Sequence, residues 1–184
     1  MSWLPGEPEF VADLVIAGGG RITTGGAKLF NLYRPPVIEP VEGDVKLYAD
    51  HWKRLYPGEC EEMLDWLSFK VQHPEVKINH AIGMGGAEGI GKDTLLAPIR
   101  EAVGPWNFAE VSPGRVLKGD FNEYMQSVIL RVNEAHDVGD FNRFDFHERT
   151  KTMIAAPPEV VEINGKFRRQ YCIPNLTGVI ILTT

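Results

Sequence analysis

The chain has 184 residues, 43% of them hydrophobic and 24% charged, with a formal net charge of −6 and two cysteines. It is long enough to bury a sizeable core as one domain plus an appendage, and it lacks both an N-terminal signal peptide and any apolar run near the roughly 18 residues of a membrane span. Cys60 and Cys172 are too few for a disulfide framework and lack metal-ligand spacing, so the expectation is a soluble cytoplasmic protein with reduced thiols, making no membrane contact. The acidity argues against a surface that coats nucleic acid generally, but it leaves room for a local basic element.

Residues 1–43 alternate short apolar runs (10–16 and 29–33) with Gly18-Gly19-Gly20 and Gly25-Gly26, and close on Pro35-Pro36 and Pro40. This pattern predicts short strands and hairpins. No helical pattern follows Gly18-Gly19-Gly20, so a hairpin turn is favoured there over a phosphate loop. Residues 44–76 read as a helical collar. One helix covers about 44–56 and stops at Pro57-Gly58; a second covers about 61–72, with Leu64, Trp66, Leu67 and Val71 on one face, and stops before Pro74. Trp52 and Trp66 read as packing residues rather than a base-stacking platform.

From residue 77 to 184 buried-type strands alternate with helices, the order expected of an α/β parallel sheet. An apolar run over 78–84 leads into Gly85-Gly86-Ala87-Glu88-Gly89-Ile90-Gly91-Lys92-Asp93-Thr94, and a helix is predicted over 94–103. Glycines let a backbone turn its N–H groups around an anion, and a following helix start adds partial positive charge. The spacing Gly86-x4-Gly91-Lys92 is that of a P-loop, with Lys92 reaching the β- and γ-phosphates. Gly86, Ala87, Glu88, Gly89, Ile90, Gly91, Lys92, Asp93 and Thr94 are therefore the candidate nucleotide-binding residues. Asp93 fills the slot of the motif's Ser/Thr, and Thr94 follows one place later. An ordinary glycine-rich turn is the plainer alternative; the flanking strand and helix favour the cradle.

A second strand is predicted over 128–132, ending in Asn133 and Glu134 with Asp137 beyond. There an NTPase needs one group for the Mg²⁺ water shell and a carboxylate to orient the attacking water. Asn133 and Glu134 are the candidates, and a buried strand ending in solvated polar residues is the alternative. Residues 158–171 carry alternating apolar positions around Asn164-Gly165, which predicts a type I′ hairpin with Lys166, Arg168 and Arg169 behind the turn. Such a basic tip can grip successive phosphates of a single strand, although by itself a solvated surface hairpin is the plainer reading. A third strand, 177–182, ends at Thr183-Thr184, and the expectation is that the core is cut short there.

The ordered set resembles the superfamily 3 helicase domain of phage and prophage primase–helicases, relatives of the poxvirus type. The resemblance is carried by Phe30-Asn31-Leu32-Tyr33-Arg34-Pro35-Pro36, Val71-Gln72-His73-Pro74 with Lys77, Gly89-Ile90-Gly91-Lys92-Asp93-Thr94, Asn133-Glu134, the Lys166 hairpin and Leu182-Thr183-Thr184. It implies a P-loop NTPase core of the AAA+ kind, preceded by the β-rich element and the collar. Lys92 would be catalytic together with Glu134, and Asp93, Thr94 and Asn133 would lie on the metal side. Lys166, Arg168 and Arg169 would contact DNA, and Thr184 would stand at the sensor position. It also implies ATP and Mg²⁺ as cofactors, single-stranded or forked DNA as partner, a homo-oligomeric ring, expected to be hexameric, and a bacterial host cytoplasm as the location. Asp93 in the hydroxyl slot and Asn133 in place of an acid depart from the family pattern. A P-loop nucleoside monophosphate kinase and a non-catalytic nucleotide-binding module remain as alternatives.

Overall fold

The computed structural model describes residues 1–133 and 143–184. At its centre lies a four-stranded, wholly parallel sheet in the order β3–β8–β5–β4, formed by β3 (Ile82–Met84), β4 (Phe108–Val111), β5 (Ile129–Val132) and β8 (Gly178–Leu182). The inner strands are short aliphatic runs with Ile129, Leu130, Val132, Val179, Ile180 and Leu182 all buried, as strands covered on both faces must be. Register is fixed by the pairs Met84 with Leu182, Val132 with Ile181, and Glu110 with Arg131.

Helices flank this sheet: α3 (Lys92–Val103), α4 (Pro113–Lys118) and α5 (Arg143–Ile154). The sequence-predicted helix over 94–103 begins two residues earlier, because Gly91 adopts a left-handed conformation and its carbonyl accepts the first helical bond, from Leu95 N–H. Before the sheet come α1 (Lys46–Leu55) and α2 (Cys60–Gln72), close to the predicted helices. Trp52 and Trp66 are both core residues. The buried stripe of α2 comprises Cys60, Met63, Trp66, Leu67 and Lys70. Lys70 is wholly buried and donates to the carbonyls of Pro74 (3.0 Å), Val76 (2.8 Å) and Leu176 (2.7 Å). Lys77 likewise donates to Met153 O, Asn175 Oδ1 and Thr177 O. Burial lowers Lys70 to about 7 and Lys77 to about 8.

The N-terminal hairpin pairs β1 (Phe10–Ala17) with β2 (Gly20–Phe30), so a hairpin turn does form there, at Gly18-Gly19, with Gly20 opening β2. Gly25-Gly26 falls inside β2, opposite a bulge at Asp13 whose carboxylate accepts Gly26 N–H at 2.6 Å. The strand predicted over 29–33 ends at Phe30. Asn31 instead becomes a buried knot: its Oδ1 accepts from Leu4 and Tyr33 N–H, and its Nδ2 donates to Leu4, Glu7 and Pro8 carbonyls. Leu4, Ile16 and Leu29 form a small second core under the hairpin.

β6 (Val160–Ile163) and β7 (Tyr171–Pro174) form the other antiparallel pair. The type I′ turn expected at Asn164-Gly165 is not what forms. Ile163 pairs with Tyr171, which leaves seven residues, 164–170, in the loop, and its left-handed residue is Phe167 (φ 61°). The cause is that Asn164 bonds elsewhere. Its N–H donates to Asn122 Oδ1, its Nδ2 to Asp120 O, and its carbonyl accepts from Asn122 N–H.

Candidate functional site

The carboxyl ends of β3, β5 and β8 open onto one cavity of about 260 Å³, lined by Glu88, Gly89, Lys92, Asp93, Arg131, Asn133, Leu182, Thr183 and Thr184. Outside the carboxyl ends of parallel strands is where α/β sheets bind ligands. The glycine-rich loop enters from β3 with Gly86, Gly89 and Gly91 all at positive φ. A Cβ at two of these positions would crowd a neighbour: on Gly86 it would lie 2.5 Å from the terminal methyl of Ile90, which can swing aside, and on Gly91 it would lie 2.9 Å from His51 Nε2.

Lys92, in the first turn of α3, donates to the carbonyls of Gly86, Ala87 (3.4 Å) and Thr183 (3.1 Å), which ties the loop to the tip of β8. Asp93 is 79% exposed and forms an ion pair with Arg131, which is 14% exposed. Arg131 also lies 3.9 Å from Glu110 on the adjacent strand. Asn133 Oδ1 is buried without a hydrogen-bond partner among the described residues.

The site thus brings together Glu88, Gly89, Lys92, Asp93, Asn133 and Thr184 from the sequence-predicted set. Thr94 is exposed and does not line the cavity. Glu134 and Asp137 lie outside the described residues. Lys166, Arg168 and Arg169 are exposed in the β6–β7 loop, which leads through β7 to the amino end of β8, the end away from the cavity.

The residues fit phosphates and a hard cation on structural grounds. Gly86, Gly89 and Gly91 give the loop three positive-φ positions from which backbone N–H groups can turn toward an anion, and Asp93 with Asn133 Oδ1, which has no hydrogen-bond partner among the described residues, would supply oxygen donors of the kind Mg²⁺ uses alongside substrate phosphates.

Three features escaped the sequence reading. Arg131 was legible only as a charge interrupting an aliphatic strand. The collar packs on the loop, with Tyr56 Oη donating to Gly85 O at 3.0 Å, Tyr48 Oη donating to Leu95 O at 2.8 Å, and His51 against Gly91. Phe167 stands 96% exposed amid the basic loop residues, with Lys166 Nζ 5.1 Å from its ring centroid.

Fold and site together define a mixed α/β protein with a nucleotide-binding-like parallel sheet. The chain belongs to DUF5906, a family of unknown function, which it matches over residues 84–184. Among solved structures, the apo C-terminal region of NrS-1 (305–718) has the same fold, with a TM-score of 0.77 and 22% identity over 100% of this chain and 42% of that one. Two A-form apo structures of the NrS-1 C-terminal region give TM-scores of 0.74 and 0.72 at 21% and 18% identity, each with 41% of the other chain covered. This chain therefore spans about two fifths of the structures it resembles. No curated protein matches it. Among the described residues, no helix is long and apolar enough to cross a membrane.

Proposed function

We propose that this chain is the ATPase core of a replicative DNA helicase of the phage primase–helicase kind, hydrolysing ATP to move along single-stranded DNA. The observation that carries the reading is the convergence of Lys92, Asp93, Asn133 and Thr183-Thr184 at the carboxyl ends of three parallel strands, around a glycine cradle. The fold shared with the NrS-1 C-terminal region supports the α/β core of this reading, and the resemblance of the ordered motifs to phage primase–helicases supplies the rest.

In this reading the glycine-loop N–H groups and Lys92 hold the terminal phosphates. Lys92 exchanges its carbonyl partners for phosphate oxygens and stabilises the charge that develops during transfer. Asn133, whose Oδ1 has no hydrogen-bond partner among the described residues, and Asp93 would hold the metal, Asn133 through its water shell. Mg²⁺ held there would supply positive charge to offset the negative charge of the phosphates. Glu134 orients the attacking water. Thr183 and Thr184, at the tip of β8, stand where the terminal phosphate would be sensed. β8 is then the mechanical link, because its carboxyl end meets Lys92 while its amino end continues from the basic loop. A shift at the phosphates can pass along this buried strand and back through β7 to Lys166, Arg168 and Arg169, which grip the nucleic-acid backbone. A ring of copies, hexameric in this proposal, would present several such loops to one strand and gain affinity through linked contacts.

The test is ATP turnover by the full-length protein with and without single-stranded DNA. The proposal expects DNA-stimulated hydrolysis that Glu134→Gln slows by about a hundredfold or more with ground-state binding kept. Phosphoryl transfer to a nucleoside monophosphate would mark a kinase instead, and nucleotide binding without turnover would mark an inert module.

A further inference from the structure

We infer that Arg131 and a divalent cation compete for the Asp93 carboxylate, so that Arg131 sets how strongly nucleotide binding depends on metal. The inference rests on the phosphate-binding reading of this cavity. Among the described residues, four charged side chains line the cavity: Lys92 and Arg131 against Glu88 and Asp93. A carboxylate in the hydroxyl slot would repel a polyphosphate unless a cation covers it, and Arg131 is the cation that does so. A guanidinium from the middle of a buried strand is costly to strand without a partner. Here it has a second partner, since Glu110 sits opposite it in register and its carboxylate lies 3.9 Å away. Arg131 can therefore release Asp93 without losing every counter-charge. Asp93, at 79% exposure, is free to turn toward a metal once released.

Two cations sharing one carboxylate are thermodynamically linked: whatever removes one raises the apparent affinity of the other by the same factor. The quantity to measure is the ratio of ATP dissociation constants in chelator and in saturating Mg²⁺, by calorimetry, for the parent and for Arg131→Met. The variant should bind ATP about tenfold more weakly in chelator, because an uncovered Asp93 then faces the phosphates, and should recover most of that loss with Mg²⁺. The ratio therefore widens roughly tenfold. An equal ratio in parent and variant overturns the inference. Asp93→Asn, on a side chain exposed enough to spare the fold, gives a second reading: it should tighten chelator-only binding and shrink the ratio, and a ratio as large as the parent's also refutes the competition. Lys92→Ala is measured first. If the parent binds no ATP, or binds it independently of Lys92, the phosphate-site reading has failed and the competition falls with it. A parent that binds through Lys92 with an unmoved ratio sinks the competition alone.

Discussion

Replacing Gly91 by alanine should injure both stability and the phosphate site. Gly91 sits at φ 105° as the residue before α3, a conformation that costs an L-residue about 1–3 kcal/mol. A Cβ there would also approach His51 Nε2 at 2.9 Å and Cε1 at 3.1 Å. His51 has little freedom to retreat, because it belongs to α1, its Nδ1 lies 2.6 Å from Arg54 Nη2, and the next residue is fully buried Trp52. Displacing a packed ring adds about 1 kcal/mol or more. The sum, about 3 kcal/mol, divided by a urea dependence of about 3 kcal/mol per molar, lowers the unfolding midpoint by about 1 M. Gly89→Ala is the internal control. Its φ is 74° with nothing within 4 Å of the added Cβ, so only the dihedral penalty of about 1–2 kcal/mol applies and the shift should be about one to two thirds as large. Urea titrations followed by tryptophan fluorescence measure both. Equal midpoints for the two variants, or a Gly91→Ala midpoint within about 0.2 M of the parent, would refute the claim that the collar constrains the loop.

Stability should rise with pH across the neutral range. Lys70 and Lys77 have folded values lowered to about 7 and about 8, so between these and the ordinary lysine value the unfolded chain binds more protons than the folded one. The gain from about pH 7 to pH 9 should be on the order of a few kcal/mol in urea titrations, and a flat or falling profile would contradict it. Phe167→Ala should weaken single-stranded DNA binding about tenfold through loss of one stacking surface, yet leave the unfolding midpoint unchanged because the ring is 96% exposed; unchanged binding would remove Phe167 from the interface. Tyr56→Phe should cost about 1 kcal/mol by removing the bond to Gly85 O and should loosen nucleotide binding more than it lowers stability. Parental ATP affinity in that variant would mean that the bond does not order the loop.

The parts of this fold that can be read from sequence are those with local causes. Continuous aliphatic runs mark β5 and β8, and the glycine triplet marks the first turn; the helical spacing of Leu64, Trp66, Leu67 and Val71 marks α2, although the face it buries is turned toward Cys60, Met63 and Lys70, with only Trp66 and Leu67 in common. The cavity follows from the same signals, since three parallel strands must end on one side and each is followed by its polar residues. What failed had non-local causes. β4, only Phe108–Val111 between a proline turn and Pro113, becomes a strand because β5 offers it an edge. Asn164-Gly165 carries the composition of a tight turn, but Asn122 and Asp120, forty residues away, draw Asn164 into other bonds. Arg131 reads as an anomaly until Asp93, across two strands' worth of sequence, is seen to need a counter-charge.

The central claim is that the cavity at the carboxyl ends of β3, β5 and β8 is a nucleoside triphosphate site centred on Lys92. The most direct test is a calorimetric titration of ATP with Mg²⁺ into this chain and into Lys92→Ala, with the unfolding midpoint of both measured alongside. Lys92, which donates to the Gly86 and Thr183 carbonyls, is the side chain proposed to meet the terminal phosphates, so the proposal predicts saturable binding that weakens by about tenfold or more in a variant that remains folded. Equal affinities in the two folded proteins, or no binding by the parent chain, would contradict it.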